Sequence, residues 1–231
     1  MKTIGLLGGM SWESTASYYQ LINQGINTKL GGLSSAKICL YSVNFDEIEK
    51  LQHQGDWPNT AKILSESAQA IEAGGADFLL ICTNTMHKVA DSISNAITIP
   101  ILHIADATAE QLKRQRITKV GLLGTKFTMA QDFYKGRLRD KFAIDVIVPS
   151  GNEQDVVHQI IYQELCLGKI TPSSKQQYLA IIDRLHQAGA QAIILGCTEI
   201  ALLINQNDTD VLLFDTTAIH AQAAIELATS L

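Results

Sequence analysis

The feature that most constrains this chain is that it repeats itself. Thr3-Ile4-Gly5-Leu6-Leu7-Gly8 matches Lys119-Val120-Gly121-Leu122-Leu123-Gly124. Gly75-Ala76-Asp77 plus an apolar run matches Gly189-Ala190-Gln191 plus another. Asp106-Ala107-Thr108-Ala109 matches Asp215-Thr216-Thr217-Ala218. Each pattern is common by itself, but three in the same order in both halves predict a duplicated unit. A length of 231 residues then reads as two ordinary small domains. The boundary falls near Gln115, giving an N-terminal α/β domain over 1–115 and a C-terminal one over 116–231, with the terminal helix able to pack back on the first.

Within each half, short apolar runs alternate with amphipathic stretches. The runs Thr3–Leu7, Lys37–Val43, Phe78–Ile81, Ile99–His103, Lys119–Leu123, Ala143–Val148, Ala192–Leu195 and Val211–Phe214 are rich in Leu, Ile and Val, as in parallel strands covered on both faces. Helical patterns lie between them, over Glu13–Thr28, Thr60–Ala73, Thr128–Lys141, Asp155–Leu167 and Ser174–Ala188. Gly74-Gly75 and Gly189 sit just past helices, where a left-handed residue ends them. The fold class is therefore α/β, two pseudo-symmetric domains each with a short, mostly parallel sheet flanked by helices. Sheets of this type put ligands at the C-terminal ends of their strands, so the active site is expected in a cleft between the domains.

Composition narrows the partners. Charged residues make up 18% and hydrophobic ones 46%, ample for a core and too apolar for disorder. A net charge of -5 without a basic run argues against nucleic acid or an anionic membrane as partner. No apolar stretch reaches the ~18–20 residues that span a bilayer. The apolar run Ile4–Leu7 stops at glycines and is too short for a secretory signal, so a cytoplasmic address is expected. The four cysteines Cys39, Cys82, Cys166 and Cys197 form no C-x-x-C pair. They are read as buried fillers or reactive thiols, not as disulfides or zinc ligands. The six histidines show no metal-ligand spacing.

Two stretches carry chemistry. Cys82-Thr83-Asn84-Thr85-Met86-His87 follows the third strand of the first half, and Gly196-Cys197-Thr198-Glu199 follows the matching strand of the second. A thiol at a strand-to-helix turn meets backbone N–H groups and a helix dipole, which favour thiolate. Equivalent acid/base groups in the two repeats suit chemistry that is itself nearly mirror-symmetric.

With Ile4-Gly5-Leu6-Leu7-Gly8-Gly9-Met10-Ser11-Trp12-Glu13-Ser14, these stretches carry a whole-length resemblance to the aspartate/glutamate racemase family of cofactor-independent amino-acid racemases. The resemblance implies two pseudo-symmetric domains, a homodimer, a small amino-acid substrate, and two-base proton transfer at the α-carbon without pyridoxal phosphate or metal. Carbanion formation would need donors aimed at the substrate carboxylate in a water-poor cleft, with Asn84, Thr85 and Thr198 as candidates. Met10, Ser11, Gln52, Thr125 and Glu199 are further expected near the ligand.

Relatives commonly read Cys-Asn-Thr where this chain reads Cys82-Thr83-Asn84-Thr85, which leaves two readings. Aligned on Asn-Thr, Thr83 takes the catalytic position. The repeat agrees when counted from Gly75 and Gly189, whereas counting from the Cys-Thr pairs matches Cys82 to Cys197. A one-residue slip turns the side chain to the other face, so only one of Thr83 and Cys82 can serve with Cys197, and Thr83 is preferred. Gln52 and Cys166 stand near positions where aspartate-preferring relatives carry cations, so their neutrality leaves room for a broader range of polar substrates. Lys50, His53 and Lys169 are nearby cations of unknown direction. His87 reads as capping or packing, Asp106 and Asp215 as helix N-caps, and Cys39 as core. Gly5-x-x-Gly8-Gly9 lacks dinucleotide-binding spacing. The rival readings are a single-thiol decarboxylase or isomerase of small dicarboxylates, and a non-catalytic amino-acid-binding protein.

Overall fold

A computed structural model describes residues 1–230. By the density of its internal contacts the chain divides into two compact units, 1–104 with 220–231 and 105–219.

The first unit is built on a three-stranded parallel sheet of order β2-β1-β3, with β1 Ile4–Gly8, β2 Ile38–Ser42 and β3 Phe78–Ile81. Its helices are α1 Trp12–Leu30, α2 Phe45–Gln54, α3 Trp57–Ala73 and α4 Ala90–Ala96. Strand alternation sends side chains to two cores. Ile4, Leu6, Phe78, Leu80 and Cys82 pack with Tyr18, Ile22 and Ile26 of α1 and with Ala221, Ala224 and Ile225 near the C-terminus. Leu7, Leu79 and Ile81 pack on the other face against Ile48, Leu64, Ala68 and Ile71.

The run Ile99–His103, expected as a strand, makes only an isolated bridge between Leu79 and Ile101. Pro100 has no N–H to give a ladder and can only accept, which it does from Leu79 N–H at 2.9 Å. The segment then enters α5, Ile104–Arg114.

The second unit carries a four-stranded parallel sheet of order β5-β4-β6-β7: β4 Lys119–Gly124, β5 Asp145–Ile147, β6 Ala192–Gly196 and β7 Leu212–Asp215. The expected helix over 128–141 is two, α6 Lys126–Ala130 and α7 Asp132–Phe142, broken at an extended Gln131. Asp132 supplies the acidic first turn that favours a fresh helix start. Next come α8 Gly151–Gln163, α9 Pro172–Gln187, α10 Ile200–Leu203 and α11 Thr216–Thr229. A capping box between Ser150 and Glu153 starts α8, and Thr171 followed by Pro172 starts α9. Asp215 caps α11, accepting from Thr217 N–H at 2.9 Å. Asp106 does not cap α5. It lies inside the first turn of that helix and pairs with Arg137 at 2.5 Å and Lys141 at 2.6 Å. Among the described residues no helix is long and apolar enough to cross a membrane.

Candidate active site

In the first unit the turn after β1 is set by glycine. Gly9 has φ +91°, and a Cβ there would stand 2.3 Å from the Val43 carbonyl oxygen, so only glycine fits. Its N–H donates to Thr15 Oγ1 at 2.8 Å, and Ser11 Oγ caps α1 by accepting from Ser14 N–H at 3.3 Å. Met10 is buried in the core on the α2–α3 side. Ser14 Oγ–H reaches across to the Cys82 carbonyl at 3.1 Å, tying the start of α1 to the end of β3.

Cys82 closes the ladder by donating its N–H to the Leu7 carbonyl at 2.9 Å. Its side chain is 0% exposed in the apolar cluster under α1, and burial pushes the thiol well above its ordinary range. Thr83 is only partly buried. Asn84 and Thr85 are buried and lead into a 3-10 turn over Thr85–Val89.

The strand registers settle which residues correspond in the two repeats. Leu7 pairs with Ile81, and its counterpart Leu123 pairs with Leu195. Two residues beyond Ile81 stands Thr83, and two beyond Leu195 stands Cys197. Cys82 therefore corresponds to Gly196. The side chains keep the same phase: Leu79 and Ile81 share one core, and Ile193 and Leu195 share the core against which Cys197 packs.

In the second unit β4 and β6 end side by side at Gly124 and Gly196. A Cβ on Gly196 would stand 2.9 Å from the Leu123 carbonyl oxygen, so the tight junction that presents Cys197 requires glycine. Cys197 is half-buried. Its Sγ–H donates to Glu199 Oε2 at 2.9 Å, and Thr198 Oγ1–H donates to the same oxygen at 2.6 Å. Glu199 is 7% exposed. Burial first, and the adjacent Glu199 carboxylate second, push the Cys197 thiol well above its ordinary range. The expected bias toward thiolate is thus absent at both cysteines. α10 is only one turn long, and a carboxylate, not a helix dipole, dominates the Cys197 environment. Thr125 caps α6 and its hydroxyl lies 3.2 Å from that of Thr128. Cys166 packs against the same core as Cys197.

Within each unit, then, most of the anticipated residues gather at the C-terminal strand ends: Met10, Thr83, Asn84 and Thr85 in the first, Thr125, Cys197, Thr198 and Glu199 in the second. Gln52 is buried on α2. Lys50 and His53 lie on the outside of that helix, tied to Asp46 at 2.6 Å and to Glu49 at 3.0 Å. Sequence reasoning missed Ser14, whose hydroxyl contact with residue 82 spans 68 positions. Among the described residues no three His, Cys, Asp or Glu side chains are placed to hold a metal ion.

These features define a class: a duplicated parallel α/β protein with a hydroxyl or thiol side chain, Thr83 or Cys197, at the corresponding strand end of each unit. The chain belongs to the Asp/Glu/hydantoin racemase family, whose sequence profile matches residues 7–224, and so to the isomerases. It is 55% identical to a candidate Asp/Glu racemase from Yersinia pestis whose structure superposes with a TM-score of 0.94, both chains covered in full. An aspartate racemase homologue from Pyrococcus horikoshii is 36% identical with a TM-score of 0.88, again over both whole chains. Among curated proteins, the broad specificity amino-acid racemase RacX of Bacillus subtilis is 24% identical over 96% of each chain.

Proposed function

We propose that this protein racemises a small amino acid without a cofactor, by moving a proton at the α-carbon, with Cys197 serving one face and Thr83 the other. The observation that carries this reading is the Cys197–Glu199 pair at 2.9 Å, in a family of racemases. A thiol beside a carboxylate can give its proton to Glu199 as it takes one from carbon, and recover it in the reverse step. The bond broken is Cα–H and the bond formed is S–H, while the electron pair left on carbon spreads into the substrate carboxylate. Donors among Asn84, Thr85, Thr125 and Thr198 would stabilise that charge. Reprotonation from the opposite side falls to the Thr83 hydroxyl, which passes on a proton supplied by water, while the proton taken up by Glu199 returns to water, so that all three side chains end as they began. Threonine is a poor base, so proton transfer at Thr83 is the harder of the two steps; the enantiomers have equal free energy, so kcat/KM is the same in both directions and only kcat and KM taken separately differ.

Aspartate, glutamate or a broader polar set are the proposed substrates. The relatives' names support an amino acid, and the neutral Gln52 and Cys166 support breadth. A cytoplasmic homodimer completes the proposal, on the family resemblance. Separate Cys82→Ala and Thr83→Ala variants, each assayed with both enantiomers, test the assignment. Thr83→Ala should lose kcat/KM equally with both enantiomers, and Cys82→Ala should retain both. Loss confined to Cys82→Ala would reverse the roles. Carbon dioxide release in place of lost optical rotation would favour the single-thiol decarboxylase.

A further inference from the structure

Beyond Cys82 the ladder of β3 has ended, yet Thr83 must hold one direction for proton transfer. Two consecutive carbonyls at this point are held by side chains. Ser14 Oγ–H donates to the Cys82 carbonyl at 3.1 Å, and His87 Nδ1 lies 2.8 Å from the Thr83 carbonyl oxygen. On the other side of the His87 ring, Ile104 N–H donates to Nε2 at 3.2 Å. A carbonyl can only accept and a backbone N–H can only donate, so both contacts hold together only for the neutral ring with its proton on Nδ1.

The anchor behind His87 is itself fixed. His87 is 4% exposed, and the His103 ring lies 4.4 Å from its ring, centroid to centroid. Leu102, two residues before Ile104, donates its N–H to the Leu79 carbonyl at 2.9 Å and accepts at its own carbonyl from His220 Nε2 at 2.7 Å. His220 Nδ1 in turn accepts from the Tyr18 hydroxyl at 2.9 Å.

We propose that His87 is a positioning residue for Thr83, its Nδ1–H holding the Thr83 carbonyl against the fixed Leu102–Ile104 segment so that the Thr83 side chain keeps its working direction. This rests on the reading that Thr83 exchanges a proton with the substrate. His87 touches the backbone of Thr83 and acts through it. The two nitrogens have separate jobs, which separate substitutions can imitate. Asparagine places an N–H donor near the Nδ1 position and lacks the reach to Ile104. Glutamine places an acceptor near the Nε2 position and offers nothing to the Thr83 carbonyl.

The test measures kcat and KM with each enantiomer, and Tm, for His87→Asn, His87→Gln and His87→Leu beside Thr83→Ala. Misplacing a reacting group by ~1 Å costs on the order of 100-fold. His87→Gln and His87→Leu should therefore lose about 10- to 100-fold in kcat with KM little changed, while His87→Asn stays within about threefold of the parent. The reverse order, with His87→Gln active and His87→Asn inactive, would show that only the hydrogen bond to Ile104 matters and would overturn the proposal. Parental kcat in all three His87 variants would do the same. If His87→Leu does not fold, the Asn and Gln pair decides alone. Parental turnover in Thr83→Ala sinks the underlying reading instead, whatever the His87 variants do.

Discussion

Replacing Glu199 by glutamine removes the charge that faces the Cys197 thiol while keeping the side chain's shape. The sign follows from the geometry. The carboxylate lies 2.9 Å from Sγ, and a negative neighbour disfavours thiolate, so Glu199→Gln must lower the thiol pKa. Two unit charges at that separation interact by about 6 kcal/mol at an effective dielectric of about 20, and by about 1.4 kcal/mol in bulk water. At 1.36 kcal/mol per pKa unit this spans about one to four units. The half-buried site and relaxation around it put the expected fall at about one to two units, and glutamine's own N–H adds to it in the same direction. Alkylation of Cys197 by iodoacetamide, followed across pH by mass spectrometry of the Cys197 peptide, reads this directly. While the parent thiol is mostly protonated, the variant should react about 10- to 100-fold faster at pH 7. Turnover should move the other way, because the thiol loses its proton acceptor. An alkylation midpoint that stays in place or rises would refute the claim that Glu199 controls this thiol.

Three further expectations concern the scaffold. Gly9→Ala puts a Cβ at φ +91° and 2.3 Å from the Val43 carbonyl; urea denaturation should show a loss of about 1–3 kcal/mol or more. Cys82→Ala leaves a small cavity under α1, and the same assay should show a loss on the order of 1 kcal/mol. His220 is fully buried, and burial lowers its pKa from 6.5 to about 4. Its folded value lies below its unfolded one, so the neutral ring stabilises the fold above pH 6.5, and that contribution is lost as pH falls from about 6.5 toward 4. Stability should drop over this window by up to about 3 kcal/mol, and His220→Phe should flatten that part of the profile.

The strand core was open to sequence reading because Ile4–Leu7, Phe78–Ile81, Val120–Leu123 and Ala192–Leu195 are continuous apolar runs, and burial on both faces demands that. The run at Ile99–His103 looked the same, but one missing N–H at Pro100 reduced it to a bridge. Asp106 resembled Asp215 in its local sequence, yet it pairs with Arg137 and Lys141 across 31 and 35 positions, and no local pattern carries that. The correspondence of Thr83 with Cys197 was one of two alignments until strand register fixed it. The link from His87 to Ile104 spans 17 residues and depends on the path of an irregular segment, which composition does not encode. The Cys197 environment was misjudged because the acid two residues on turns back toward the thiol. The C-T-E string shows the acid's presence and leaves its direction open.

Racemisation by this protein requires a proton to leave and return at one stereocentre. Incubating the protein with each enantiomer of aspartate or glutamate in deuterium oxide, and following the α-position by NMR and polarimetry, tests it. Deuterium should appear at the α-carbon of the inverted product, without carbon dioxide, and both exchange and inversion should be lost in Cys197→Ala. An α-position that keeps its protium across the polar amino acids, or exchange that survives in Cys197→Ala, would contradict it.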